Sequence, residues 1–173
     1  SKMYIIGRSG DDINEYKLTS FYDITTAILN TVFSVRTRET NPSGVTFNAN
    51  GSKMFIIGYT NDTVIQYNLI VPFDISTASY TQEFSISSEE TSPEDIVFNN
   101  DGTRMYVLGN SGNDVNQYSL IIPYDISTAT FQNNLLISAQ ESSPTGLAFN
   151  NNGSTMYIIG ASGDDINKYN LIV

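Results

Sequence analysis

The sequence predicts an all-β fold made of one repeated four-stranded antiparallel sheet. Three observations predict it. The heptapeptide Ser1-Lys2-Met3-Tyr4-Ile5-Ile6-Gly7 returns as Ser52–Gly58, Thr103–Gly109 and Ser154–Gly160, so the chain repeats every 51 residues with no insertion. Each repeat holds short β-branched and aromatic runs bounded by Gly, Pro, Asn, Asp and Ser. No segment reads as a helix. Three full units cover 1–51, 52–102 and 103–153, and a partial one covers 154–173, within a single domain spanning 1–173.

The strands follow in a fixed order. Strand A is Gly44–Asn48, with Asp95–Asn99 and Gly146–Asn150 as its counterparts. Asn50-Gly51, Asp101-Gly102 and Asn152-Gly153 come next. Such dipeptides supply the positive φ angles of a tight hairpin, which pairs A antiparallel with strand B. Strand B is the Met-Tyr-Ile-Ile run, apolar at consecutive positions and so expected to be covered on both faces. Strand C is Ile13–Leu18, Val64–Leu69, Val115–Leu120 and Ile166–Leu171. Pro72-Phe73-Asp74-Ile75-Ser76-Thr77 and its counterparts lead from C to D, with Asp and Ser/Thr placed to bond nearby N–H groups in a turn. Strand D runs near Leu29–Val35, Tyr80–Ile86 and Phe131–Ile137. It alternates, with Tyr80, Phe84 and Ile86 on one face and Glu83, Ser85 and Ser87 on the other. Inner strands covered on both faces and an outer strand wet on one are what a radial stack of sheets produces, the blades of a β-propeller.

The run Pro42–Gly58, followed by Asp62-Thr63-Val64-Ile65-Gln66-Tyr67, resembles the YVTN-type propeller repeat. That pattern is Pro-x-Gly, an apolar strand, Asp/Asn-Gly, a Tyr-Val strand and a Val-containing strand. The resemblance covers the whole chain and implies the blade. The family includes surface-layer proteins, enzymes and cofactor-binding subunits, so it implies no single activity. This chain departs from it in its longer repeat and its Tyr/Phe-Asp-Ile-Ser/Thr-Thr-Ala connection. It matches no catalytic motif of any member, so no catalytic residue carries over.

Three and a half blades fall short of a ring, for which about four to eight are typical. The strands tile as BCD, ABCD, ABCD, ABC. The expectation is a ring completed by oligomerisation, with strands exchanged at each junction, in a homodimer, with a homotrimer as the alternative. Ser1 opens directly into the first strand with no charged leader, which reads as a fragment, a trimmed form or a unit that relies on a partner.

Composition narrows the function. Lys and Arg number 8 against 18 Asp and Glu, for a net charge of −10 and a pI near 4.1. Nucleic acid is excluded, because phosphate binding needs clustered cations. No run approaches the ~18 apolar residues of a membrane span. Without His, Cys or Trp there is no disulfide, no thiolate or imidazole metal site, no His-based triad and no thiol catalysis.

Carboxylates remain. The B–C loops carry Asp11, Asp12, Asp62, Asp114, Asp164 and Asp165, which could hold Ca²⁺, a hard cation that takes several oxygen ligands. Their spacing matches no EF-hand, and they serve equally as turn residues facing water. Glu39, Glu90 and Glu141 recur three residues before Pro42, Pro93 and Pro144. They suit either a ring of carboxylates for cations or sugar hydroxyls, or bonds to backbone N–H groups of their own loop. Arg8, Tyr59, Asn110 and Ala161 are equivalent yet all differ, as a recognition surface on a rigid frame does and as drift on a solvated loop does. The column Tyr16, Tyr67, Tyr118 and Tyr169 reads as packing between blades, with sugar stacking as its alternative.

The leading functional expectation is a non-enzymatic recognition or adhesion module for a glycan or protein partner, extracellular or on a virion or cell surface. It rests on low charge content, abundant Asn, Ser and Thr, acidity and near-identical repeats. One alternative is a structural self-assembling repeat. The other is a carboxylate-dependent hydrolase or lyase, which requires an Asp or Glu inside the ring that has a raised pKa and breaks the repeat.

Overall fold

A computed structural model describes residues 1–171; residues 172–173, the end of the partial repeat, lie outside the described residues. The chain forms four antiparallel sheets arranged as β-propeller blades, and the ring is open. Blade 1 is β1 (Lys2–Gly7), β2 (Asp12–Leu18) and β3 (Ala27–Ser34). Blade 2 is β4 (Pro42–Phe47), β5 (Lys53–Gly58), β6 (Thr63–Leu69) and β7 (Ala78–Ser85). Blade 3 is β8 (Pro93–Phe98), β9 (Arg104–Gly109), β10 (Asp114–Leu120) and β11 (Ala129–Leu136). Blade 4 is β12 (Pro144–Phe149), β13 (Thr155–Gly160) and β14 (Ile166–Asn170). Among the described residues, blade 1 therefore has no strand A and blade 4 no strand D.

The A–B hairpin is wider than a two-residue turn. Asn48 N–H donates to the Lys53 carbonyl at 3.1 Å, and Gly51 N–H donates to the Asn48 carbonyl at 2.9 Å. Only the glycine of the Asn-Gly pair takes a positive φ, 72° at Gly51. Asn50 instead uses its side-chain oxygen to accept the Ser52 N–H at 3.0 Å. In the C–D connection a one-turn 3-10 segment, Ile75–Thr77, is capped by Asp74, which accepts the Ser76 N–H at 3.1 Å. Strand D begins earlier than its side-chain pattern suggests, because Ala78 already pairs with Leu69.

Packing runs from blade to blade. Along β5, Met54 and Ile56 face blade 1, while Phe55 and Ile57 face blade 3, and all four are fully buried. The doubly apolar sequence of strand B follows from this, since each of its faces meets a different sheet. Three clusters result, one per blade junction. Tyr67 and Tyr118 belong to them, edge-on to Phe33 at 5.3 Å and to Phe84 at 5.7 Å. Tyr67, Tyr118 and Tyr169 therefore pack between blades, Tyr16 joins none of the three clusters, and the Tyr118 hydroxyl reaches Glu89 at the rim at 3.4 Å.

Candidate active site

One end of the inner strands gathers residues from three blades. Arg8, Tyr59 and Asn110 each follow the last residue of a strand B, and Glu94 is the second residue of β8. The Arg8 guanidinium donates to the Tyr59 hydroxyl at 2.7 Å and to Glu94 Oε2 at 3.1 Å. It lies 4.3 Å from the centre of the Tyr59 ring, in cation–π contact. Asn110 Nδ2 approaches Glu94 Oε1 from the other side at 3.4 Å. The Glu94 side chain is only 9% exposed, whereas that of Arg8 is 52% exposed, so the cluster is anchored inside and reachable from solvent. Burial, with the neighbouring Glu94 carboxylate, pushes the Tyr59 phenol up to about 12, with Arg8 pulling the other way. Tyr59 is thus a protonated donor at neutral pH.

Asp95 stands beside this cluster. Its Oδ1 accepts the Ile96 N–H at 2.8 Å, and its Oδ2 crosses to blade 4 to accept the Leu147 N–H at 2.9 Å. Burial raises its carboxyl pKa, the two N–H bonds oppose that, and Glu94 adds to the rise. Asp95 is a clamp between blades, with both oxygens engaged. Glu94 carries the carboxylate whose partners are side chains that a substrate could displace.

Sequence reasoning picked out Arg8, Tyr59 and Asn110 and missed Glu94 and Asp95. The signal was the same for all of them. Ser43, Glu94 and Thr145 are equivalent, as are Gly44, Asp95 and Gly146. Two acids thus interrupt otherwise small positions in one blade. Asp95 breaks the repeat and its carboxyl pKa is raised, but both its oxygens are taken up in the clamp, so it is not the reacting acid that the hydrolase alternative called for. Ala161, the fourth equivalent position, is exposed and brings no polar side chain.

The other acidic residues are turned to different tasks. Glu39, Glu90 and Glu141 are buried and staple the D–A loop to the B–C loop. Glu39 Oε1 accepts the N–H groups of Asn41 at 2.7 Å and Thr60 at 3.1 Å. Glu90 accepts those of Ser92, Ser111 and Gly112, and Glu141 those of Ser143 and Ser162. Those donors, Ser143 first, hold the Glu141 carboxyl below its usual range. A Cβ added at Gly58, Gly109 or Gly160 would overlap the matching Glu, which accounts for the Gly that ends each of these B strands.

The calcium expectation finds no cage. Among the described residues no three His, Cys, Asp or Glu side chains gather where one cation could reach them. Asp11, Asp62 and Asp164 are left-handed turn residues, with φ of 50°, 49° and 52°. Asp12, Asp114 and Asp165 each accept from the Asn two residues further on. A cavity of about 730 Å³ opens at the hairpin end of the inner strands, walled by Phe98, Tyr106, Tyr124 and Phe149. Its one carboxylate, Asp101, is bonded to Thr103 N–H at 2.9 Å, so no acid–base pair lies there.

No protein-family model matches the chain, and no curated protein matches it. Many solved structures do. It is similar to a Bacteroides uniformis protein named as a 6-phosphogluconolactonase, at 14% identity and a TM-score of 0.64, over 94% of this chain and 48% of that one. It is similar to the periplasmic gluconolactonase PpgL of Pseudomonas aeruginosa, at 13% identity and a TM-score of 0.62, over 92% of this chain and 44% of that one. It is also similar to the β-propeller domain of Cps50 (Swd1) from Myceliophteria thermophila, at 7% identity and a TM-score of 0.58, over 98% and 52%. The chain thus spans about half the length of the propellers it matches.

Identities this low establish the fold, with neighbours of both lactonase-like and WD40 type. They also correct the functional expectation. Several of the similar propellers are named as lactonases, which are hydrolases. On that finding the expectation of a non-enzymatic recognition or adhesion module, and with it the absence of enzymatic activity, is withdrawn.

Proposed function

We infer that this chain carries the reacting groups of a propeller hydrolase of YVTN-type repeat, one that opens a cyclic ester of the sugar-lactone class. The observation that carries the reading is the convergence of Arg8, Tyr59 and Asn110, from three blades, on the buried carboxylate Glu94. Each of the four breaks the repeat, while the scaffold around them barely varies. The names of the similar propellers agree with a lactone as substrate.

The chemistry needs no metal. Water attacks the lactone carbonyl carbon, and Glu94 takes the proton from that water as the new C–O bond forms. Negative charge develops on the carbonyl oxygen. Arg8 and the protonated Tyr59 are donors fixed in place to receive it, and such preorganised donors act most strongly where water is largely excluded. The ring C–O bond then breaks, and the leaving alkoxide takes its proton back from Glu94. One water is consumed and one hydroxy acid is released. Asn110 holds the Glu94 carboxylate in place, and Asp95 ties blade 3 to blade 4 beneath it.

The test is lactone opening followed with a pH indicator, using glucono-1,5-lactone and a panel of other sugar lactones against buffer alone. Acceleration of at least one lactone, saturable in substrate, is expected. Buffer-level rates across the panel would remove the reading.

A further inference from the structure

Every junction inside the chain is built from the same two faces. The forward face of a blade offers the second and fourth residues of the Met-Tyr-Ile-Ile run and the first apolar residue of strand C. The backward face of the next blade offers the first and third residues of that run and the Ile of the 3-10 turn. In the interior these positions are closed. Ile57, Leu108, Val64, Ile56, Ile75 and Ile126 are 0% exposed.

At the two ends the same positions are open. On the forward face of blade 4, Ile159 is 49% exposed and Ile166 67%. On the backward face of blade 1, Ile5 is 48% exposed and Ile24 70%. One end therefore matches the other as blade 2 matches blade 3. We propose that a second copy of this chain occupies both end faces, forward face on backward face, so that two half-rings close into one propeller without exchanging strands. This interface is independent of the hydrolase reading.

Three observations favour a second copy over another occupant. The interface is a continuation of junctions already present three times in the chain. The chain lies over 48% of the 6-phosphogluconolactonase-named propeller, so a unit of its own size fits the remainder of such a ring. Charge is the third. Glu15, Gln66, Gln117 and Lys168 are equivalent. In blade 1, Glu15 reaches forward to accept the Ile75 N–H at 3.2 Å, next to the cap of the following blade's 3-10 turn. In blade 2, Gln66 holds Gln82, which donates to the cap carboxylate Asp125 at 2.8 Å. Blades 1 and 2 set a strand-B cation, Lys2 and Lys53, beside that cap, whereas blade 4 has Thr155 at that position and carries its cation at Lys168 instead. Facing the backward surface of another copy, Lys168 would meet the equivalent cap, Asp23. Each terminal sheet is three-stranded and pairs within its own chain, so this face-to-face contact does not use the strand exchange expected from the sequence.

The experiment is solution mass by light scattering at micromolar concentration, on chains checked for folding by circular dichroism. The wild type is expected at twice 19.1 kDa. Ile5→Asp and Ile159→Asp, each at an exposed position, are each expected to run as monomers. An equimolar mixture of the two is expected to regain a dimer, because one undamaged pair of faces remains. Lys168→Gln is expected to keep the dimer, and Lys168→Glu to weaken it by about tenfold. A monomeric wild type, an open-ended polymer, or a dimer indifferent to both Asp variants would overturn the proposal.

Discussion

Blades 2 and 3 and blades 1 and 4 have nearly the same sequence and very different burial. Ile75 and Ile126 are 0% exposed, and their equivalent Ile24 is 70% exposed. Val64 is 0% exposed, and its equivalent Ile166 is 67% exposed. The residues are alike in kind and the local strand geometry is the same, so it is the neighbour that differs. Burial in this fold is therefore a property of junctions between blades, and stability follows as a sum of nearest-neighbour terms.

The largest effect should come from emptying an interior junction. Phe55→Ala removes a fully buried ring, at a cost of about 3–5 kcal/mol, whereas Tyr157→Ala at the open forward face should cost under about 1 kcal/mol. Urea denaturation in the Ile5→Asp background, where the ends stay open, reads both. Equal losses would break the comparison.

The hairpin glycines sharpen it at smaller scale. Gly102 and Gly153 share φ near +73°. A Cβ at Gly102 would overlap the Tyr124 ring, while at Gly153 it meets nothing within 4 Å. Gly153→Ala should cost about 1 kcal/mol, for the left-handed backbone alone. Gly102→Ala should cost clearly more, because the ring must move as well. Thermal melts of the two variants compare them directly, and equal costs would mean that the ring does not press on the hairpin.

The smallest expected effects are in pH dependence. The Ser127 hydroxyl, helped by Gln82 of the neighbouring blade, holds the Asp125 carboxyl below its ordinary range. Its contribution is present above the unfolded aspartate pKa and is lost as pH falls through the lowered folded value. Burial raises Asp95, so its contribution has the opposite sign. It is full below the unfolded pKa and is lost as pH rises through the raised folded value. Asp125→Asn should flatten the acid limb of a urea-midpoint profile, and Asp95→Asn should remove a fall in stability toward neutral, leaving a steeper net rise. Shifts of the same sense in both variants would contradict this assignment.

The blade was legible because its signals are local. Consecutive apolar residues mark strand B, and alternation marks strand D. The turn was less legible, since Asn50 bonds Ser52 through its side chain and leaves the positive φ to Gly51 alone. Three residues of the site, Arg8, Tyr59 and Asn110, were legible as columns that break the repeat. Their meeting point was not, because Glu94 lies 86 residues from Arg8 and is brought to it only by stacking blades. The period also misled. Glu39, Glu90 and Glu141 recur because each loop needs its N–H groups bonded, so at this mouth regularity marks scaffold and irregularity marks the cluster.

That contrast between two carboxylates at one mouth gives the most direct measurement. Glu94→Gln and Glu90→Gln are assayed side by side for lactone opening per folded molecule and for melting temperature. The account expects Glu94→Gln to lose about 100-fold or more in rate while melting near the wild type. It expects Glu90→Gln to melt lower, having lost one acceptor for the Gly112 N–H, and to keep its rate. An undiminished rate in Glu94→Gln would contradict the account.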